Sequence, residues 1–211
     1  PMTAVVVWSL NIVVTRYVTD FIEPISISFY RWLLAWLLLT PFMLHKTWQQ
    51  RQLIQQHSLK LAILSAFGML LYQGLAYSAA HYTTATNMGL INAFIPIFTI
   101  FVGILILKEF PNRYAVIGSI CSFLGLLYVI GQGQFNAILN LGQHTGDLLM
   151  LLAVFFYAFY GVFLRKWQLA LPLMLMLYVQ VCFALLYHVP IIVYFGLDPI
   201  TQDNVLSVAY A

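Results

Sequence analysis

The feature that most constrains this chain is a run of residues without charge that is as long as a bilayer is thick. Thr83 to Leu107 contains no Asp, Glu, Lys or Arg. A helix needs about 20 mostly apolar residues to cross the hydrocarbon core. Similar runs recur along the chain, and 63% of its residues are hydrophobic while only 7% are charged. A soluble domain carries about a quarter charged residues, so this composition cannot cover a water-facing surface. Hydrocarbon offers backbone groups no partner but each other, so the spans are expected to be helices. The alternating segments of an outer-membrane barrel are missing from the pattern. The chain reads as an all-α integral membrane protein, a helical bundle.

Helices are expected at roughly 2–19, 25–44, 59–80, 83–107, 112–131, 146–166 and 171–196, with the start of an eighth near 204. Short breaks fall at "HYTT" (81–84), "KEFPNR" (108–113) and "LALP" (169–172). The polar stretch 45–60 reads as an exposed loop with room for a short interfacial helix, and 131–146 reads as a second loop. The chain opens at Pro1 and its first helix follows at once, without the small-residue cleavage site of a signal peptide. Cys121 and Cys182 lie in apolar runs and are expected to be packed thiols, with no metal-ligand spacing around them.

Positive charge alternates along the chain. Lys46, Arg51 and Lys60 follow the second helix, Lys108 and Arg113 the fourth, and Arg165 and Lys166 the sixth. The loops after the third, fifth and seventh hold no Lys or Arg. Positive loops stay in the cytoplasm, which predicts a cytoplasmic N-terminus and a place in a bacterial cytoplasmic (inner) membrane. Asp147, Asp198 and Asp203 then fall on the outer side. Arg31, about two turns into its helix, either snorkels outward or faces inward towards an anionic group.

The sequence also matches itself at an offset of 149 residues. Arg16 falls on Arg165, Arg31 on Gln180, Ala35 on Ala184 and Pro41 on Pro190. Five helices per copy is an odd number, so the second copy must enter the membrane from the other side. Such inverted repeats are common in secondary transporters. The expected division is a first five-helix repeat over 1–145 and the start of an inverted second over 146–211. The counterparts of the third to fifth helices would run from about 208 to about 280, only the first few residues of which are present here.

Three stretches carry a family resemblance: "FYRWLLAWLLLTPF" (29–42), "LAYSAAHYTTATNMGLINAFIPIFTIFVGILILKEF" (75–110) and "GSICSFLGLLYVIG" (118–131). Their order and spacing resemble the drug/metabolite transporter superfamily, of the EamA type. The resemblance implies ten helices in two five-helix repeats, about seven of them and the start of an eighth here. It also implies export of amino acids or other small metabolites, and a central cavity lined by helices 1, 3, 4 and 6.

The polar residues inside the spans are the candidate solute contacts. On a helical wheel Ala85, Gly89, Asn92, Pro96, Thr99 and Gly103 share one stripe. Asn87 lies nearly opposite and is expected to bond near the helix start. Asn92 either bonds a neighbouring helix or contacts solute. Pro96 frees the Asn92 carbonyl, producing a kink, a hinge or a ligand site. Trp8, Asn11, Thr15 and Thr19 share a face of the first helix. Ser65, Gly68, Tyr72, Ala76 and Ala79 share one on the third, with Gln73 beside it. The sixth offers Tyr157 and Tyr160. The substrate-binding set is therefore Trp8, Asn11, Tyr72, Gln73, Asn92, Pro96, Tyr157 and Tyr160. Ala115, Gly118, Ser122 and Gly125 read as a packing seam.

Glu109 is expected to accept a helix-end hydrogen bond or an ion pair, and no acidic residue is expected deep in a helix. Without fixed charge, the cavity disfavours highly charged solutes. The histidines at 45, 57, 81, 144 and 188 form no HExxH, and no GxSxG occurs, so an intramembrane enzyme is disfavoured. No catalytic residue, metal or other cofactor is expected. The expected partners are a small-molecule solute and membrane lipids, without nucleic acid, and the oligomeric state is unspecified. A passive channel or a scaffold is the alternative, and solute counterflow separates these from a carrier.

Overall fold

The computed structural model describes residues 23–130 and 145–199. The chain enters α1 (Pro24–Gln49) with a proline at the first helical position, where its missing N–H costs nothing. α1 outlasts the expected span and carries the chain into the polar stretch. That stretch is helical too: α2 (Arg51–Gln56) leads directly into α3 (Ser58–Ser65). Arg51 lies 4.7 Å over the Trp48 ring, and Leu53 and Ile54 pack towards Leu61, Leu171 and Leu175. The segment is an amphipathic connection rather than a loose loop.

α3 continues through a π-helical turn at Ala66–Leu71 into α4 (Tyr72–Tyr82). Thr84 then caps α5 (Ala85–Asn92), its hydroxyl accepting from the Asn87 amide. The run expected as one helix is interrupted. Ala93 and Phe94 donate to Leu90 and Ile91, three residues back, before α6 (Ile95–Leu107) begins with Pro96 near its start. A proline cannot donate and its ring crowds the carbonyl four residues earlier, so the chain tightens there. Lys108 ends α6 in the left-handed conformation, φ 56°. α7 (Arg113–Ile130), α8 (Thr145–Trp167) and α9 (Leu173–Phe195) complete the described bundle. Among the described residues there is no strand. Five helical segments among those residues are long and apolar enough to span a membrane: Pro24–Gln49, Ser58–Tyr82, Ala85–Leu107, Thr145–Trp167 and Leu173–Phe195.

α8 is the hub. It packs on α4, α5, α6 and the π turn, burying Met150, Ala153 and Val154 against Tyr72, Ala76, Ala79 and Met88. Aromatic rings fill its other sides, with Phe67 stacked on Phe159 at 5.5 Å and Phe98 edge-on to Phe155 at 5.4 Å. Two glycines permit the closest approaches. A Cβ on Gly146 would sit 2.7 Å from the Ala79 carbonyl oxygen, and one on Gly68 would sit 2.7 Å from the Tyr160 ring. The face Ser65–Gly68–Tyr72–Ala76–Ala79 is thus largely the seam that joins α4 and the π turn to α8 and α9. The small residues Ala115, Gly118 and Gly125 of α7 behave differently from the expected packing seam. All three are exposed, and no described residue outside α7's own backbone would meet a Cβ at either glycine.

Helix directions follow from the contacts. Thr83 meets Asp147 while Gly68 meets Tyr160, so α4 and α8 are antiparallel. Phe98 meets Phe155 while Glu109 meets Arg165, so α6 and α8 are parallel. One end of the bundle therefore collects Lys46, Arg51, Lys60, Lys108, Arg113, Arg165 and Lys166. The other collects Glu23, Asp147 and Asp198, where Asp198 accepts from the Glu23 amide at 2.7 Å.

α1 and α9 are antiparallel partners with matching registers. Their first residues, Pro24 and Leu173, stand at the 149-residue offset, and so do their interior prolines, Pro41 and Pro190. One cluster, shared with Met69 of the π turn, holds both members of three sets: Trp32 and Val181, Ala35 and Ala184, Trp36 and Leu185. Each of those sets is also related by the offset. On either side lie two polar contacts. His188 meets the Ser28 hydroxyl at 3.0 Å and Thr40 meets the Tyr178 hydroxyl at 3.1 Å. Exchanging the two helices maps one contact onto the other within a single residue.

Candidate functional site

Four of the eight expected solute contacts, Tyr72, Asn92, Tyr157 and Tyr160, come together around the start of α4. The π turn sets up the arrangement. It widens the helix beside Gly68, whose bare backbone lets the Tyr160 ring lie against it. Tyr160 sits 5.6 Å from Tyr157, centroid to centroid, and Tyr157 sits 4.6 Å from Tyr72. The three rings form a ladder between α4 and α8. At its far end the Tyr72 hydroxyl is 3.4 Å from Asn92 Oδ1. Asn92 is the last residue of α5, immediately before the break. Its Nδ2 is buried with no hydrogen-bond partner. An unpaired buried amide costs about 1–3 kcal/mol, so the arrangement holds a donor ready for an acceptor that the described residues do not supply.

Gln73, one residue along from Tyr72, faces α1. There its Oε1 lies 3.4 Å from Arg31 Nη1, and the Tyr77 hydroxyl lies 2.7 Å from the same nitrogen. Arg31 therefore faces between helices rather than snorkelling to the surface, and the expectation of an uncharged surround is modified here. Pro96 stands apart from the ladder and is exposed; its part is to shape the break that presents Asn92. Trp8 and Asn11, with Thr15 and Thr19, lie outside the described residues.

Further along the stripe, Thr99 and Gly103 line a cavity of about 360 Å³ at the basic end, with Glu109, Asn112, Ala115 and Arg165. Arg165 Nη2 meets Glu109 Oε2 at 2.7 Å. The ion pair expected of Glu109 is made across helices, to α8 rather than to neighbouring Lys108. Both side chains are well exposed, so the pair contributes at most about 1 kcal/mol. Nothing described lies within 4 Å of a Cβ built on Gly89 or Gly103. The stripe faces open space at these glycines rather than a packed neighbour.

Three polar residues escaped the reading of the sequence. Gln180 is 1% exposed, and its Oε1 has no hydrogen-bond partner among the described residues. Its alignment with Arg31 was the one available sign. Tyr77 is 1% exposed and looks like any helical tyrosine in sequence. Asp147, only 2% exposed, accepts from the Thr83 hydroxyl and from Asn87 Nδ2 at 3.3 Å. A buried carboxylate thus exists, in the first turn of α8 rather than at mid-depth. Cys121 and Cys182 are free thiols, and no cluster of metal-ligating side chains occurs among the described residues.

Apolar spanning helices, a helix broken beside Asn92 and a polar-aromatic cluster between helices describe an integral membrane protein. Residues 2–131 match the EamA-like transporter family. The chain belongs to that family and so to the drug/metabolite transporter type. It is 25% identical over 151 residues to the uncharacterized transporter YyaM of Bacillus subtilis (strain 168), covering 72% of this chain and 50% of that protein. It is likewise 25% identical over 159 residues to an uncharacterized transporter of Archaeoglobus fulgidus, covering 74% of this chain and 53% of that one. The chain spans about half the length of these relatives. No solved structure matches it.

Proposed function

We propose that the protein is a secondary carrier that moves a small amphiphilic metabolite, an amino acid or an aromatic compound, outward across the bacterial cytoplasmic membrane. The solute sits against Tyr72, Tyr157 and Tyr160, which contact its apolar part. Asn92 and Gln73 orient its polar part. Trp8 and Asn11, outside the described residues, complete the proposed contact set.

The observation that carries this reading is Asn92 Nδ2, buried and unpartnered at a helix break beside three tyrosines. Discontinuous helices at the solute site are a recurring device of secondary transporters. Two further features support it. The antiparallel, offset-matched pairing of α1 with α9 is what inverted repeats produce, with 1–145 as one copy and 146–211 as the start of the other. The collection of Lys and Arg at one end supports a cytoplasmic placement of that end and of the N-terminus. Access then alternates as the two repeats rock about the site.

Counterflow in proteoliposomes, paired with a thermal-shift screen against a metabolite panel, tests the proposal. A carrier exchanges labelled for unlabelled solute and saturates. Asn92→Ala and Tyr72→Ala should abolish stabilisation by the solute that the parent accepts. If both variants respond like the parent, the site assignment is wrong.

A further inference from the structure

Arg31 sits seven residues into α1, roughly 10 Å along the helix axis from its start at 1.5 Å per residue. A guanidinium at that depth is costly to hold. Its Nη1 is fixed by two neutral acceptors, the Tyr77 hydroxyl at 2.7 Å and Gln73 Oε1 at 3.4 Å. Those acceptors are four residues apart on α4 and so project from one face of it. Among the described residues no carboxylate lies within ion-pairing distance of Arg31; the pair they form is Arg165 with Glu109. A guanidinium has five N–H donors, and both recorded hydrogen bonds use Nη1. The guanidinium also lies 5.5 Å from the Trp32 ring centroid, and among the described residues nothing hydrogen-bonds the edge formed by Nη2 and Nε. That edge is the fork that matches an oxyanion with two parallel hydrogen bonds.

We propose that Arg31 is an oxyanion-binding residue that receives the carboxylate of the transported solute, with Tyr77 and Gln73 as its positioning residues. The inference rests on the carrier reading and sharpens it. The solute has an aromatic or apolar body for the tyrosine ladder and a single carboxylate for Arg31. Gln73 joins the two parts of the site, lying beside Tyr72 in sequence and against Arg31 in space. A phospholipid headgroup offers the same oxyanion chemistry and is the competing source.

The test uses the full chain, reconstituted in vesicles of phosphatidylcholine alone and in a second set containing phosphatidylglycerol. Phenylacetate and phenylacetamide, alike except for the charge, are compared for stabilisation and for competition in counterflow. The wild type should prefer the acid by about tenfold or more, the scale of one charge-assisted pair. Arg31→Gln should erase the preference, Arg31→Lys should keep part of it, and Tyr77→Phe should weaken it. Melting of each variant without ligand shows that it is folded. Absence of an acid preference in the wild type, or its persistence in a folded Arg31→Gln, overturns the proposal. If Arg31-dependent stabilisation follows phosphatidylglycerol and not the acid, the oxyanion is a headgroup and the solute assignment falls. Exchange of other solutes without acid preference would sink the Arg31 site and leave the carrier standing. No exchange of any solute would remove both.

Discussion

Single residues here separate those that hold helices together from those that face open space. Gly146 and Gly103 look alike in sequence. A Cβ on Gly146 would press on backbone atoms of Ala79, Tyr82 and Thr83, all within 2.8 Å, whereas one on Gly103 would meet nothing. Gly146→Ala should therefore lose about 1–3 kcal/mol through forced backbone shifts. Gly103→Ala should keep or slightly raise stability, since alanine favours a helix by up to about 1 kcal/mol. Unfolding titrations of the two variants in mixed micelles check the contrast, and equal losses would contradict it. Asp147 is a second such case. Removing its carboxylate by Asp147→Ala leaves the buried Thr83 hydroxyl and the half-buried Asn87 side-chain amide without their acceptor and should cost about 2 kcal/mol or more. A double-mutant cycle with Thr83→Val should recover much of that loss, because the orphaned donor disappears with the hydroxyl. None of these contrasts was legible in the sequence. A helical wheel shows which residues share a face, but not which neighbour the face meets. The wheel grouped Gly68 with Tyr72 correctly, and it could not say that Tyr160 would lie on that glycine.

At the scale of the element, the breaks marked by a cap or a proline were legible, while the end of α1 and the helix interiors were not. Thr83–Thr84, Pro111 and Pro172 announce breaks because a cap or a missing N–H acts locally. The interruption at Ala93–Phe94 is a consequence of Pro96, which the sequence displayed but did not resolve into a kink, a hinge or a break. The π turn at Ala66–Leu71 has no such marker. It arises where Gly68 must admit the Tyr160 ring, a demand made by a different helix. Pro96→Ala restores the missing donor and should let α5 and α6 run together as one helix. The expected result is unchanged or higher thermal stability with counterflow reduced about tenfold or more, because Asn92 would turn away from Tyr72. Normal transport by a stabilised Pro96→Ala variant would show that the break does not present the site.

At the scale of the molecule, the symmetry between α1 and α9 separates what moves from what stays. If two repeats exchange conformations as access alternates, a contact between counterpart residues maps onto itself. A contact between unlike residues maps onto a different pair. Ala35 and Ala184 are counterparts that share one cluster, so their juxtaposition maps onto itself and makes them the expected fulcrum. Glu109 and Arg165 are not counterparts. Their exposed bridge at the basic end belongs to one state and must part when that end opens. The two pairs therefore predict opposite responses to being tied. In a background with Cys121 and Cys182 replaced by Ser, a short bifunctional thiol reagent joining Ala35→Cys to Ala184→Cys should leave counterflow within about twofold of the untreated protein. The same reagent joining Glu109→Cys to Arg165→Cys should stop counterflow, and cleaving the link should restore it. Each double variant, before treatment, reports whether the substitutions alone are tolerated. A carrier that stalls when tied at the fulcrum, or runs when tied at the basic end, does not rock about the α1–α9 pair, and an inverted-repeat mechanism built on that pair would have to be given up.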